Sequence, residues 1–242
     1  MARAAMAQGG ERTRQQEMLV ATDGISLLGT LSVPPGASGI VVFAHGSGSG
    51  RHSPRNRFVA QALQDARLGT LLVDLLTAEE EEAERWTRHH RFDIQLLAHR
   101  LAGARDWLRR LPRTRDLPVG YFGASTGAGA ALVAAAWRPD GIAAIVSRGG
   151  RPDLAGDALR DVKAPTLLIV GGHDLPVIEM NRTALRDLPV EKKLHIVPGA
   201  THLFEEPGAL EQVTTLAKDW FTRFMPPPAD VGMRNEEVPH RH

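Results

Sequence analysis

The sequence predicts an α/β protein, a three-layer α/β/α sandwich around a mostly parallel sheet of about seven or eight strands that opens with an antiparallel hairpin. Short apolar runs of strand length alternate with helix-like segments from residue 18 onward, which is typical of a sheet covered by helices on both faces. A length of 242 residues, with 43% hydrophobic and 24% charged residues, suits one domain of this kind. We therefore expect a single domain over residues 17–225, preceded by a mobile leader (1–16) and followed by a Pro-rich flexible tail (226–242).

The composition excludes several classes of function. Lys and Arg number 29 and Asp and Glu number 28, so the chain has no strong field to attract nucleic acid or an anionic membrane. The absence of cysteine excludes disulfides, thiolate metal sites and a cysteine nucleophile. No secretory signal or bilayer-length apolar run stands out. We expect a soluble cytoplasmic protein that binds neither nucleic acid nor membrane, and the oligomeric state stays open.

The first elements follow from turn and capping signals. Asp23-Gly24 separates strand-like residues 17–21 and 26–33, which indicates a hairpin. The continuous apolar run 39–44 (GIVVFA) is typical of a strand buried on both faces. Ser53 and Pro54 then supply an N-cap and a first helical residue.

The later elements follow from periodicity. Residues 70–75 form another apolar run, and an apolar stripe predicts one long amphipathic helix over 92–111. The remaining strands are predicted at 119–124, 143–147, 166–170 and 193–197, and the remaining helices at 126–137, 176–188 and 210–224.

A Gly-x-Ser-x-Gly motif lies between a predicted strand and a predicted helix, in the segment Gly123-Ala124-Ser125-Thr126-Gly127. A sharp strand-to-helix turn exposes the serine hydroxyl and directs the free N–H groups of the helix toward it. The motif predicts Ser125 as a nucleophile, with a glycine-rich packing turn as the alternative.

A serine nucleophile needs a base and an orienting carboxylate. His202 follows the last predicted strand and Asp174 follows residues 166–170, so both emerge at the carboxyl edge of the sheet with Ser125. Asp174 is also a candidate N-cap for the next helix, and Glu179 and Asp153 are weaker substitutes for it.

An oxyanion hole needs two backbone donors. The amide of Thr126 is one, and the loop after residues 39–44 offers the amide of Ser47, with Gly48 second. His45 in that loop is interpreted as a structural hydrogen-bonding residue. A phosphate-binding loop is disfavoured because no Gly-Lys-Ser/Thr follows and Arg51 stands where a dinucleotide fingerprint has its third glycine. No cluster has metal-ligand spacing, so we expect neither a metal nor a cofactor.

The order serine, aspartate, histidine, with HGSGSG upstream, resembles the α/β-hydrolase superfamily. The segments HGSGSGRHSPRN, LLVDLLTAEEEE, FGASTGAGAA, SRGGRPDL and VGGHD look like its dienelactone-hydrolase-like branch, over residues 39–224. The resemblance implies the α/β-hydrolase fold, Ser125, Asp174 and His202 as a catalytic triad, and the amides of Ser47 and Thr126 as oxyanion donors. Only about fifteen residues separate strand from helix at 76–91, so no large cap domain is expected.

One position departs from the resemblance, because dienelactone hydrolases proper use a cysteine nucleophile and this chain has Ser125. Resemblance to the serine members of this branch implies a small esterase, so a small carboxylic ester or lactone, cleaved with water, is the expected substrate. A hydrolase of organophosphate triesters and a non-catalytic binding protein remain the alternatives.

Two residues are candidates for substrate binding. Arg148 would bind an anionic group or form a structural ion pair. Trp86 would contribute to a lid over the pocket. The acidic run Glu79–Glu82 is interpreted as a solvated face, with a mobile lid as the alternative.

Overall fold

A computed structural model of the chain describes residues 14–87 and 89–227. Eight strands form one sheet in the order β1-β2-β4-β3-β5-β6-β7-β8, with antiparallel pairing from β1 to β4 and parallel pairing from β4 to β8. This is the predicted three-layer sandwich. Most of the predicted leader and tail lies outside the described residues, and β1 begins two residues before the predicted start of the domain.

The elements match most of the predicted boundaries to within two residues. The strands are β1 Gln15–Thr22, β2 Ile25–Ser32, β3 Gly39–Ala44, β4 Leu68–Val73, β5 Val119–Ala124, β6 Ile142–Arg148, β7 Thr166–Gly171 and β8 Lys192–Val197. The α-helices are α1 Pro54–Asp65, α2 Ala78–Thr87, α3 Ile94–Leu108, α4 Thr126–Trp137, α5 Leu175–Asp187 and α6 Ala209–Phe224. Two 3₁₀ segments span His90–Phe92 and Pro152–Asp161.

Local chemistry explains the start of the fold. Asp23 and Gly24 both have positive φ, 46° and 80°, as a type I′ hairpin turn requires. Ser53 is the N-cap of α1 and its side chain accepts a hydrogen bond from the amide of Asn56, while Pro54 is the first helical residue. Both sequence signals are confirmed.

The predicted helix over 92–111 is too long at both ends. Asp93 is the N-cap of α3 and accepts a hydrogen bond from the amide of Leu96 at 3.0 Å, so the helix begins at Ile94. Helix α2 and the 3₁₀ segment Pro152–Asp161 were not predicted from the sequence. α2 has no regular apolar stripe from which a helix is predicted, and the 3₁₀ segment is interrupted by Gly156, whose φ of 53° is not helical.

Two apolar layers cover the sheet. α3 and α4 pack on one face, and α1 and α6 pack on the other. Every residue of β3 and β5 is buried, as expected of strands enclosed on both faces. Among residues 14–87 and 89–227, no helix combines the length and the apolar character needed to cross a membrane.

Candidate active site

The serine of the Gly-x-Ser-x-Gly motif occupies a strained bend. β5 ends at Ala124 and α4 begins at Thr126, and Ser125 between them has φ 50° and ψ −122°. Such a conformation costs a non-glycine residue about 1–3 kcal/mol, so the surrounding structure must hold it. The amide of Ser125 donates to the carbonyl of Arg148 at 3.3 Å, and its carbonyl accepts from the amide of Arg151 at 3.0 Å. These bonds tie the bend to the end of β6.

The flanking glycines are required by close backbone approach. A Cβ on Gly123 would lie 2.4 Å from Cα of Ala128, and one on Gly127 would lie 2.1 Å from the carbonyl oxygen of Ala44. Neither position has room for a side chain. The sequence pattern therefore reflects contact of the bend with α4 and with β3.

A histidine and an aspartate meet at the same edge of the sheet. Nδ1 of His202, in the loop between β8 and α6, lies 2.6 Å from Oδ2 of Asp174, which follows β7. The side chain of Asp174 is 14% exposed and that of His202 is 40% exposed. Water can therefore reach the imidazole but hardly the carboxylate.

The three candidate carboxylates, Asp174, Glu179 and Asp153, differ in the groups that they contact. Asp174 occupies the N-cap position of α5, but its side chain makes no capping hydrogen bond. Glu179 pairs with Arg182 at 2.5 Å and Asp153 pairs with Arg151 at 2.7 Å. Asp174 is the carboxylate that contacts His202.

Ser125 and His202 both lie against the end of β6. The Ser125 amide bonds to Arg148, and a Cβ on the next residue, Gly149, would lie 3.5 Å from Nδ1 of His202. Oγ of Ser125 makes no hydrogen bond to any of residues 14–87 or 89–227. Ser125 and the histidine loop therefore approach two consecutive residues, Arg148 and Gly149, at the end of β6.

The two residues whose amides are expected to hold an oxyanion, Ser47 and Thr126, are joined by a hydrogen bond. The amide of Ser47 donates to Oγ1 of Thr126 at 3.2 Å. His45 supports this loop from below, because Nε2 accepts from the amide of Leu75 at 3.0 Å and Nδ1 donates to the carbonyl of Gly46 at 3.0 Å. His45 has the structural role predicted for it.

Arg148, proposed from sequence as a substrate contact, is a buried cation. Its Nη1 has no hydrogen-bond partner, and it forms no salt bridge with any residue of the described chain. Burial and then the neighbouring charge of Arg55 lower the pKa of Arg148 to about 10, so the group is still charged at neutral pH. Arg55 itself pairs with Glu205 at 2.9 Å. The electrostatic effect of Arg55 on Arg148 could not be inferred from the sequence.

Helix α2, which contains the acidic run and is the alternative lid, is held to the rest of the domain by salt bridges. Glu80 forms a salt bridge with Arg100, whose side chain is buried, and Glu84 pairs with Arg91 at 2.7 Å. Glu79, Glu81 and Glu82 are exposed, so the acidic run is a solvated face except at Glu80. The side chain of Trp86 is 87% exposed, so this residue covers no pocket in the structure.

A cavity of about 560 Å³ lies beside the Ser47 loop, between the segments that follow β3 and β4. Its walls include Gly48, Arg51, Arg55 and Asp74. Arg51 and Asp74 form a salt bridge that joins the two segments. In the described part of the chain, no group of three or more His, Asp or Glu side chains is placed to hold a metal ion.

The sheet order, with a strained serine at the end of β5 and a His–Asp pair at the same edge, defines the class of α/β hydrolases. Within that class the chain belongs to the dienelactone hydrolase family, whose model matches residues 37–225.

Two relatives are similar to the chain over most of its length. The crystal structure of a dienelactone hydrolase from Anabaena variabilis is 61% identical, with a TM-score of 0.88, and the match covers 89% of this chain and 100% of that one. A "Putative phosphoribosyl transferase" from Mycobacterium tuberculosis is 59% identical over 208 residues, which are 86% of this chain and 46% of the relative. The chain thus spans less than half the length of that curated relative.

More distant solved structures share the fold. The structure of Est1E from Butyrivibrio proteoclasticus is 18% identical with a TM-score of 0.72, covering 86% of this chain and 98% of that one. A dienelactone hydrolase-like promiscuous phosphotriesterase from metagenomic libraries is 18% identical with a TM-score of 0.67, covering 88% and 98%.

Proposed function

We propose that the protein is a serine hydrolase that cleaves small carboxylic esters or lactones through an acyl-enzyme on Ser125. The observation that carries the proposal is the bond between His202 and Asp174 at the edge of the sheet where Ser125 occupies its strained bend. We expect the reaction to need neither metal nor cofactor, and to take place in the cytoplasm.

The chemistry starts with a proton transfer. Nδ1 of His202 carries a proton toward Asp174, which leaves Nε2 free to accept the proton of the Ser125 hydroxyl. Oγ attacks the carbonyl carbon and a tetrahedral oxyanion forms. His202 then returns the proton to the leaving alkoxide, and an alcohol departs from the acyl-enzyme. Water repeats the sequence, so the acid leaves and Ser125 regains its proton.

The oxyanion would be held by the amides of Ser47 and Thr126. Both are backbone donors, one in the loop after β3 and one directly after Ser125, and the Thr126 amide also lies at the N-terminus of α4, where the helix dipole favours negative charge. Because the Ser47 amide bonds to Oγ1 of Thr126, the oxyanion must replace this hydroxyl as its acceptor.

Arg148 extends the proposal to the substrate. A buried cation without a counterion is costly. Arg148 pairs with Ala124 in the sheet, its carbonyl accepts from the amide of Ser125, and the charge of Arg55 is close enough to lower its pKa. We propose that an anionic group on the substrate pairs with Arg148. Trp86 stays a sequence-based proposal only, since its side chain points into solvent.

Two other functions use the same fold. The phosphotriesterase named above supports organophosphate triesters as a second candidate substrate class, attacked by the same serine. A non-catalytic binding protein is the remaining alternative. The hydrolase proposal concerns only the region that this chain shares with the longer Mycobacterium tuberculosis relative, which is 46% of that relative.

The test is a pair of measurements on purified protein. A fluorophosphonate probe should label Ser125, located by peptide mapping, and Ser125→Ala should abolish labelling. Turnover of p-nitrophenyl acetate or butyrate should fall by about 10⁴-fold in Ser125→Ala, whereas Ser26→Ala, an exposed serine in β2, should keep the parental rate. Parental activity in Ser125→Ala would overturn the assignment.

A substrate panel then separates the enzyme classes. Carboxylic esters, lactones and phosphotriesters are compared by kcat/KM at equal enzyme concentration. Preference for esters or lactones supports the proposal, and preference for phosphotriesters supports the second candidate. Failure of the probe to label the protein, with no turnover of any substrate, would favour the binding protein.

A further inference from the structure

A basic cavity lies at the opposite edge of the sheet from Ser125. It has a volume of about 340 Å³ and is situated where α3 ends and β5 begins. Its lining contains three arginines and one aspartate, Arg105, Arg109, Arg115 and Asp116, together with Leu117, Pro118, Val119 and Gly141. β5 separates this cavity from Ser125 by about 20 Å, so it is not a part of the candidate active site.

The buried member of this group has a free binding edge. Arg105 is only 5% exposed, and its Nη1 donates to Oδ1 of Asp106 at 2.7 Å. Its Nε and Nη2 are buried and have no partner among the described residues. The N–H bonds of Nε and Nη2 point in the same direction along one edge of the guanidinium, which is the edge that binds a carboxylate or phosphate through two parallel hydrogen bonds.

The Nη2 atom of this Arg105 edge lies close to Gly141, which forms one wall of the cavity. A Cβ on Gly141 would be 3.6 Å from Nη2 of Arg105 and 3.8 Å from Nη1 of Arg109. The two guanidinium groups therefore approach the same wall of the cavity. Arg109 is exposed and forms no salt bridge with any residue in 14–87 or 89–227, so its charge is available to a ligand.

Carboxylates pair with two of the three lining arginines, but they leave Arg109 and the Nε–Nη2 edge of Arg105 without a partner among the described residues. Asp106 is already shared between Arg105 and Arg138, which donates to it at 2.7 Å. Asp116 is 86% exposed and pairs with Arg115, and Asp140, next to Gly141, is also exposed.

A buried phenol adds a second unpartnered group. The hydroxyl of Tyr121 on β5 is fully buried and has no hydrogen-bond partner within the described chain. Burial raises the pKa of Tyr121, and the charges of Arg105 and Asp106 also act on it, so the phenol lies near them. It is therefore a buried, neutral hydroxyl in the vicinity of these charges.

We propose that this cavity binds a phosphate group, with Arg105 holding two oxygens through Nε and Nη2 and with Arg109 and Arg115 at the rim. Burial of the Arg105 Nε and Nη2 atoms without a hydrogen-bond partner is energetically unfavourable, and an oxyanion would supply the missing acceptors. Phosphate, with up to two negative charges, fits three arginines better than a single carboxylate does. The phosphate belongs either to a small phosphorylated molecule or to inorganic phosphate.

Calorimetric titration tests the proposal at constant ionic strength. Inorganic phosphate, ribose 5-phosphate, ribose and acetate are each added to the full chain. We expect saturable binding of a phosphate compound with a Kd below about 1 mM, and no saturable binding of ribose or acetate. Tighter binding of ribose 5-phosphate identifies an organic phosphate as the ligand, whereas equal or tighter binding of inorganic phosphate identifies the free ion.

Variants locate the site. Arg109→Ala and Arg109→Glu change an exposed residue and should weaken phosphate binding by about 10-fold and abolish it, respectively. Arg105→Lys keeps the charge but loses the two-nitrogen edge, and should weaken binding by at least about 10-fold. Arg186→Ala, an arginine on α5, is the matched control. Equal affinity in Arg109→Glu and the parent, or no saturable phosphate binding at all, would overturn the proposal even if Arg105→Lys fails to fold.

Discussion

The amide of Ser47 donates a hydrogen bond to Oγ1 of Thr126 at 3.2 Å, which joins two segments that are 79 residues apart in the chain. The bond attaches the loop after β3 to the first residue of α4. Both proposed oxyanion donors are thereby brought to one place, with the Ser47 N–H directed at an oxygen. The Thr126 hydroxyl occupies the acceptor position that a substrate oxyanion would take.

Removal of the Ser47 N–H is the direct test of this role. Ser47→Pro deletes the donor, and loss of one oxyanion donor costs about 10²–10³-fold in kcat. Ser47→Ala keeps the amide and removes only an exposed hydroxyl, so it should retain parental kcat for p-nitrophenyl butyrate. Urea unfolding of both variants checks that the loop change leaves the fold intact. Equal kcat in Ser47→Pro and Ser47→Ala would exclude the amide as a donor.

Orientation of the imidazole by Asp174 gives a second prediction. Asp174→Asn keeps the size of the side chain but removes the negative charge that accepts the Nδ1–H hydrogen bond of His202. The required tautomer and the orientation of the ring are then lost. Turnover should fall by about 10⁴-fold. Glu179→Gln, on the exposed face of α5, should leave it unchanged. If steady-state kinetics gave the same kcat for Asp174→Asn as for the parent, another carboxylate would have to fill the role.

Much of this candidate site was predictable because each of its residues lies in, or follows, a pattern that is recognisable in the sequence. Ser125 lies within a motif whose glycines are required by backbone contact. Asp174 follows the apolar strand β7, and His202 follows β8. Parallel strands bring such positions to one edge of a sheet. The predicted bounds of β3, β5 and α4 were correct because their apolar runs end at glycine or polar residues.

The parts that sequence could not supply depend on tertiary contacts. α2 is held by salt bridges such as Glu80 with Arg100, 20 residues apart, rather than by an apolar stripe. Whether Arg148 has a counterion is likewise decided by segments distant in the chain. The hydrogen bond from Ser47 to Thr126 could not be inferred from either segment alone.

The buried charge of Arg148 predicts a dependence on substrate charge. A hydrogen bond to a charged group contributes about 1.5–3 kcal/mol, so Arg148→Met should lower kcat/KM for an ester with a carboxylate or phosphate substituent by about 10–150-fold. The neutral counterpart of the same ester should change far less. Arg182→Met, an exposed arginine on α5, is the control. A proportional loss for both esters in Arg148→Met would show a structural role instead.

Glu84 predicts an acid-dependent loss of stability. Its burial raises the pKa, but hydrogen bonds from the amides of His90 and Arg91 and from the Arg91 side chain lower it more, to about 2. Because the folded-state pKa lies below the ordinary value of 4.5, the stabilisation is fully present above pH 4.5 and is lost as the pH falls from 4.5 toward 2. Urea unfolding at pH 7, 5 and 3 should therefore show that Glu84→Gln is much less stable than the parent at pH 7, with a smaller difference at pH 3. Glu211→Gln, an exposed residue in the first turn of α6, should show no comparable difference at either pH. A penalty for Glu84→Gln that stays constant from pH 7 to pH 3 would mean that the carboxylate charge does not anchor α2.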